Sequence, residues 1–370
     1  MAVKRERAIQ VRLGERSYQV HVGAGLLAAG APTWRRLIAS PQAWLVTDTN
    51  VARLHGHSLA RRLLGLGFEV HVSVVPAGER SKTLKRLELL AREGLRAGLR
   101  RDCTVLALGG GMVGDLAGFL AGTYLRGVRW LQLPTTLLAQ VDASVGGKVA
   151  VNCGPAKNSI GIFCQPAAVL ADVEMLRTLG AREFRSGLAE SIKMAAVLSR
   201  TDLAWLEAHG PSLRPGSPGV VLGELVHRSV RMKARVVEQD ERDHGRRALL
   251  NFGHTLGHAL EGATGYRKWK HGEAVSIGCA FAARESVRLG ALSEPERARL
   301  VGLLRRVGLP VAARGLSEAR LLGLMEGDKK QSHKGLGFVL TGPLGDGSVR
   351  RLEDRTALRR SLKDFLREGP

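Results

Sequence analysis

Thr104-Val-Leu-Ala-Leu108 runs directly into Gly109-Gly-Gly111-Met-Val-Gly114-Asp115. An apolar, strand-forming run therefore ends in a glycine cluster that opens a helical pattern over residues 113–122. In that strand–turn–helix context a G-x-G-x-x-G spacing acquires meaning. The glycines let the backbone approach a pyrophosphate, and the helix start offers unpaired N–H groups to an anion. A dinucleotide is the ligand this points to. The usual fingerprint follows the first strand of its domain, whereas at least two strands precede this one, so the nucleotide is expected in a different topology.

Outward from that stretch, short apolar runs alternate with helical patterns from about residue 43 to residue 172. Strands are predicted at 43–46, 69–75, 104–108, 130–133 and 169–171, with helices near 51–64, 83–94 and 113–122. Such alternation is the signature of βα units around a parallel sheet. Beyond residue 176 the pattern changes to long amphipathic stretches at 181–198, 220–239, 248–262, 273–289 and 294–307, with almost no strand signal before 337–340. The expectation is an α/β N-terminal dinucleotide-binding domain with a parallel-type sheet over residues 1–176. A mainly α-helical metal- and substrate-binding domain follows over 177–370. The Gly/Pro/Ser-rich stretch 209–219 reads as a surface connection inside the helical half.

That half carries Asn251-Phe-Gly-His254-Thr-Leu-Gly-His258 and, further on, His271-Gly-Glu273. Four residues apart on a helix, His254 and His258 share a face and can converge on one ion or one anionic ligand, a geometry that suggests a metal. Gly253 and Gly257 each cost roughly 1 kcal/mol in a helix interior relative to Ala. Their presence suggests close approach of a ligand or of a neighbouring backbone. In the first half, Pro76-Ala-Gly-Glu-Arg-Ser-Lys82-Thr83 closes one strand, and Pro134-Thr135-Thr136 leaves another. The latter leads to Gln140-Val-Asp142-Ala-Ser-Val-Gly146-Gly147-Lys148, an expected anion-binding lip, with Lys157-Asn158 nearby.

The formal charge of +22 favours capture of anionic ligands without choosing among them. Aromatics make up 4% of the chain, too few for stacking platforms, and no polybasic tail or nucleic-acid motif occurs, so no nucleic-acid partner is expected. Cys103, Cys153, Cys164 and Cys279 have neither zinc-finger nor C-x-x-C spacing and read as reduced, largely buried thiols. No run of about 18 apolar residues and no apolar leader is present. A cytoplasmic protein with no membrane partner is expected.

In order along nearly the whole chain, several segments resemble the 3-dehydroquinate synthases of the sugar-phosphate cyclase family. They are Pro76 to Lys82, Ala107 to Asp115, Tyr124-Leu-Arg126-Gly-Val128, Pro134 to Thr136, Val141-Asp142, Gly146 to Lys148 and Lys157-Asn158. The helical half adds Gly187-Leu-Ala-Glu190-Ser-Ile-Lys193, Lys233, Arg247 to His254, His258, His271-Gly-Glu273 and Asp328-Lys-Lys330. The resemblance implies an NAD-binding domain, a divalent metal (Zn2+ or Co2+) in the helical domain, an active site in the cleft between them, and a homodimer. It implies Glu190, His254 and His271 as metal ligands, leaving His258 as a neighbouring active-site residue. It implies catalytic and substrate-clamping roles for Arg126, Asp142, Lys148, Asn158, Lys193, Lys233, Arg247, Asn251 and Lys330. For NAD it implies Asp48, Gly78, Glu79, Lys82, Gly110, Gly111, Met112, Val113, Gly114, Asp115, Thr135, Thr136, Asp142, Lys148, Lys157 and Thr178.

The implied substrate is the anionic sugar phosphate 3-deoxy-arabino-heptulosonate 7-phosphate. Transient oxidation by NAD, β-elimination of phosphate, re-reduction and an intramolecular aldol closure would give 3-dehydroquinate. Two rivals share much of this constellation: an inosose- or valiolone-type cyclase and a metal-dependent polyol dehydrogenase. Asn158, Lys193, Lys233, Arg247, Asn251 and His258 agree with the dehydroquinate-forming pattern. The sequence departs from the family where Val149 follows Lys148 and where Cys153-Gly-Pro-Ala stands in a loop.

Overall fold

The structure, a computed structural model, describes residues 6–154, 156–327, 336–352 and 354–370. In chain order the first part carries β1 (Arg7–Val11), β2 (Tyr18–Gly23), α1 (Ala31–Leu37), β3 (Gln42–Asp48), the single turn α2 (Thr49–Val51), α3 (His57–Gly65) and β4 (Glu69–Val75). There follow α4 (Leu84–Arg96), β5 (Thr104–Gly109), α5 (Gly111–Thr123), β6 (Arg129–Pro134), the antiparallel hairpin β7 (Lys148–Cys153) and β8 (Ala156–Phe163), and β9 (Ala168–Asp172).

Seven strands form one sheet in the order β1-β2-β9-β6-β5-β3-β4, parallel throughout except for β1 against β2. β3 pairs with β4 on one side and β5 on the other, so the sheet reverses its direction of growth between β3 and β5. At such a switch point a crevice opens at the carboxyl ends of the strands. The glycine loop after β5 lies at that end. Trp44, Val46, Val105 and Ala107 pack under α4 and α5 on one face, while Ala43, Leu45, Leu106 and Leu108 pack with Leu59 and Leu63 on the other. Both faces are dry, which is why these strands read as unbroken apolar runs.

The chain continues through α6 (Ala181–Leu198), α7 (Arg200–His209), α8 (Gly219–Gln239), α9 (His254–Ala263), α10 (His271–Arg288), α11 (Glu294–Arg306), α12 (Glu318–Gly327), β10 (Leu336–Thr341), β11 (Gly347–Leu352) and α13 (Arg355–Glu368). Two compact units result: Met1–Gly180 with Pro215–Arg242, and Ala181–Arg214 with Asp243–Pro370. The helix α8, assigned from the sequence to the second domain, thus belongs with the sheet, where it packs on β1, β2 and the turn Ala139–Ala143. Its amphipathic pattern defines a buried stripe and not the unit that buries it. Within the second unit α10 is buried along most of its length against α6, α9, α11 and β10. No helix among the described residues is long and apolar enough to cross a membrane.

Three expectations need correction. The helix expected at 248–262 is broken into a 3-10 turn, Arg246–Asn251, and α9, because Gly253 takes φ +79° and caps α9 instead of lying inside it. The helix expected at 51–64 is three pieces, α2, a π turn Ala52–Gly56 and α3. Of the cysteines, only Cys103 and Cys279 are buried; Cys164 is half-buried and Cys153 exposed.

Candidate active site

In the first unit, several of the expected nucleotide residues lie at the carboxyl ends of β3, β5 and β6. No side chain caps α5 at Gly110, so its first-turn N–H groups are left to other acceptors. A Cβ on Gly110 would come 3.1 Å from Cγ2 of Thr136, and one on Gly114 would come 2.9 Å from Nε2 of Gln132. Met112 and Val113 occupy the same turn, Val113 buried. Thr135 donates its N–H to Gly109 O at 2.9 Å, while its buried hydroxyl finds no partner among the described residues. Asp48 ends β3 and accepts from the N–H groups of Asn50 (2.9 Å) and Val51 (3.1 Å). Thr178, after β9, lies with its hydroxyl 2.8 Å from Nε2 of His55.

A second cluster ties the loop after β4 to the β7–β8 hairpin. Gly78 takes φ +106°, a backbone state open to glycine. Lys82, 3% exposed, pairs with Asp115 and donates to Oδ1 of Asn158. Asn152 donates through Nδ2 to Glu79 (2.9 Å) and accepts the N–H of Asn158 (2.9 Å). Burial raises the Asp115 carboxyl to about 6 against the opposing pull of Lys82. Lys148 and Lys157 are exposed on the hairpin. Lys233 reaches from α8 to Asp142, with Nζ 2.7 Å from both its Oδ1 and its backbone carbonyl. Arg126 is not brought to the glycine loop: it lies beyond the far end of α5, a helix of 13 residues or about 20 Å.

In the second unit, the donor atoms of Glu190, His254 and His271 all lie within 4.8 Å of one another. Glu190 is fully buried on α6. Its Oε2 pairs with Lys193 at 2.5 Å, and its Oε1 has no hydrogen-bond partner among the described residues and faces Nε2 of His271 at 3.6 Å. His254 opens α9 and His271 opens α10, with their ring centroids 5.3 Å apart. Burial and the cation of Lys193 hold His254 well below the ordinary histidine range. Burial pulls His271 down too, but Glu261 and Glu190 outweigh it and raise it. One carboxylate with two imidazoles around an orphaned buried oxygen suits a divalent metal such as zinc or cobalt. His258 is exposed; its ring lies 5.1 Å from that of His254, as the helix spacing implies, but its donor atoms group with those of Glu261 and His271.

Close backbone approach makes this arrangement. Gly272 donates its N–H to Ser186 Oγ at 2.9 Å, and its α-carbon lies against the α6 backbone at Ser186. A Cβ on Gly257 would come 3.3 Å from the α10 backbone at Ala274 and Val275, so the glycines accommodate a neighbouring helix. Arg247 is buried and Asn251 exposed in the turn before α9. Lys330 lies outside the described residues. Sequence reading missed Glu261, whose signal is its place three residues after His258 and seven after His254 on one helix face. It also missed Asn152, which no spacing marks.

An α/β unit with a glycine loop at its switch point, followed by a helical unit with a metal-type donor set, defines the fold class shared by sugar-phosphate cyclases and polyol dehydrogenases. Residues 72–186 match the family described as 3-dehydroquinate synthase N-terminal, and 187–331 that described as 3-dehydroquinate synthase C-terminal. The chain belongs to the 3-dehydroquinate synthase family. It is 44% identical to the 3-dehydroquinate synthase of Acidithiobacillus ferrooxidans over 98% of this chain and 99% of that one. It is 48% identical to that of Pelotomaculum thermopropionicum over 82% and 81%. Among solved structures, 2-epi-5-epi-valiolone synthase from Streptomyces hygroscopicus subsp. jinggangensis, with NAD+ and Zn2+ bound, superposes with TM-score 0.88 at 30% identity over 97% of this chain and 99% of that one.

Proposed function

We infer that this chain converts 3-deoxy-arabino-heptulosonate 7-phosphate to 3-dehydroquinate and phosphate, as a carbon–oxygen lyase of the shikimate pathway. The observation that carries the inference is the continuous 44% identity to a 3-dehydroquinate synthase over 98% of the chain. Valiolone-type cyclisation is the second reading, favoured by the 0.88 structural match but at only 30% identity. Bound at the glycine loop, NAD supplies a reversible hydride acceptor, so that no net oxidation results. Bound by Glu190, His254 and His271, Zn2+ or Co2+ supplies Lewis acidity toward a substrate hydroxyl.

The protein's own groups do the rest. Lys193 offsets the buried charge of Glu190 and leaves Oε1 for the cation. Lys148, Lys157, Lys193, Lys233, Arg247 and Lys330 are proposed to hold phosphate and carboxylate, with Asn158 and Asn251 assisting; Arg contributes planar two-point contacts and Lys point charges. Asp142 keeps Lys233 in place. His258, an exposed imidazole beside the donor set, is proposed to move protons on the substrate. We place the protein in the cytoplasm and propose a homodimer on the family resemblance; sedimentation tests the latter.

The deciding experiment follows phosphate release from the heptulosonate phosphate with added metal and catalytic NAD. Many turnovers per NAD without accumulating NADH are expected. Stoichiometric NADH without phosphate release would indicate a polyol dehydrogenase. Preference for a sugar phosphate lacking the carboxylate would indicate the second reading.

A further inference from the structure

Both ring nitrogens of His271 face carboxylates. Nε2 lies 3.6 Å from Oε1 of Glu190, and Nδ1 lies 3.2 Å from Oε2 of Glu261 on α9. The Glu261 side chain is 6% exposed, so its charge is held inside the second unit beside this ring. A carboxylate oxygen accepts, so in that contact Nδ1 donates the proton, which leaves Nε2 as the nitrogen able to offer a lone pair to a cation beside Glu190. Imidazoles that bind metals are commonly held in this way by a carboxylate on the other nitrogen, which fixes both tautomer and ring plane.

We propose that Glu261 is a positioning residue that holds His271 with Nε2 aimed at the cation shared with Glu190 and His254. The proposal rests on the reading of His271 as a metal ligand. A rival occupant is a second cation held by His258, Glu261 and His271, whose donor atoms also lie within 4.8 Å of one another. Geometry favours the first, since Nδ1 and Glu261 already satisfy each other, and His258 is exposed.

The test uses the full chain, stripped with a chelator and titrated with Zn2+ against a chromophoric competitor and with Co2+ by its visible spectrum. Melting temperature and NAD affinity are measured alongside. Glu261→Ala is expected to weaken metal binding about 10–100-fold and to alter the Co2+ spectrum. Glu261→Gln, whose amide oxygen still accepts from Nδ1, is expected to lose less. Partial rescue of metal affinity by Gln is what a merely structural acid would not give. Wild-type affinity and spectrum in a folded Glu261→Ala protein would overturn the proposal, as would two equivalents of Zn2+ bound by the wild type. Should the alanine variant not fold, the glutamine variant decides: a several-fold loss supports the proposal and wild-type affinity overturns it. His271→Ala separates the underlying reading, because retained affinity there removes the ligand assignment itself.

Discussion

The carbonyl oxygen of Gly253 occupies the place that a Cβ of Gly278 would need. Two helices therefore meet backbone to backbone, α10 through Gly278 and the start of α9 through Gly253. The same crossing recurs one turn along, where Gly257 meets Val275. His254 follows Gly253 directly, and His271 starts the helix that carries Gly278, so the separation of the two imidazoles depends on that contact.

Gly278→Ala is accordingly expected to push α9 off α10. Overpacking of this kind costs about 1–3 kcal/mol, and here the obstacle is backbone, which cannot swing aside. Both melting temperature and metal affinity should fall. Gly323→Ala on α12 is the control, since its Cβ meets nothing within 4 Å. That variant should match or exceed the wild type by up to about 1 kcal/mol. Equal metal affinity in the Gly278 variant and the control would refute the coupling of this crossing to the donor set.

What the sequence made legible follows burial. β5 and α5 were readable because Thr104–Gly109 is buried on both faces and ends in glycines. α6, α11 and β4 were readable from periodicity to within a residue or so. The β7–β8 hairpin was not, because β8 reads Ala-Lys-Asn-Ser-Ile-Gly-Ile-Phe and is largely exposed, so no apolar run marks it. The allegiance of α8 was invisible for a different reason: a helix stripe has no address. At the donor set, spacing along one helix suggested His254 with His258, whereas the ligand atoms that converge with His254 come from α6 and α10. Convergence across elements is a tertiary fact that a single helix face does not encode.

Metal binding should be pH-dependent with a definite sign. Glu261 and Glu190 raise His271 above its ordinary value in the metal-free protein, while burial keeps His254 neutral. A cation needs the Nε2 lone pair, so binding must displace the proton from His271. Apparent affinity should therefore fall as pH drops from about 8 to about 6, the range in which histidine titrates. Chelation should abolish phosphate release, and Zn2+ or Co2+ should restore it. Titrations showing the same affinity at both ends of that range would dispose of this account.

Gly110→Ala separates the nucleotide loop from the metal set. With φ −76° the backbone accepts an alanine, so folding should survive. Its Cβ would crowd Thr136 at 3.1 Å and stand over the first turn of α5. NAD affinity should weaken about tenfold, or about 1.4 kcal/mol, with Zn2+ affinity unchanged. Isothermal titration with each ligand reads the two effects independently. Undiminished NAD binding would remove Gly110 from the proposed pocket.

The Lys82–Asp115 pair supplies a stability signal of opposite sense to the usual acid denaturation. Burial raises the Asp115 carboxyl from 3.8 to about 6 in the folded chain. A folded value above the unfolded one means that the contribution of this group is fully present below about pH 3.9 and is lost as pH rises through about 6. Asp115→Asn, neutral throughout, has no such slope. Relative to the variant, the wild type should lose on the order of 1–3 kcal/mol between about pH 4 and pH 7, because the cost of burying the carboxylate exceeds the attraction of Lys82. Thermal melts of the NAD-free proteins across that range measure the difference directly. If the gap between the two stays constant, or widens in favour of the wild type, the attraction of Lys82 matches or outweighs the desolvation of Asp115 and the expected sign is wrong.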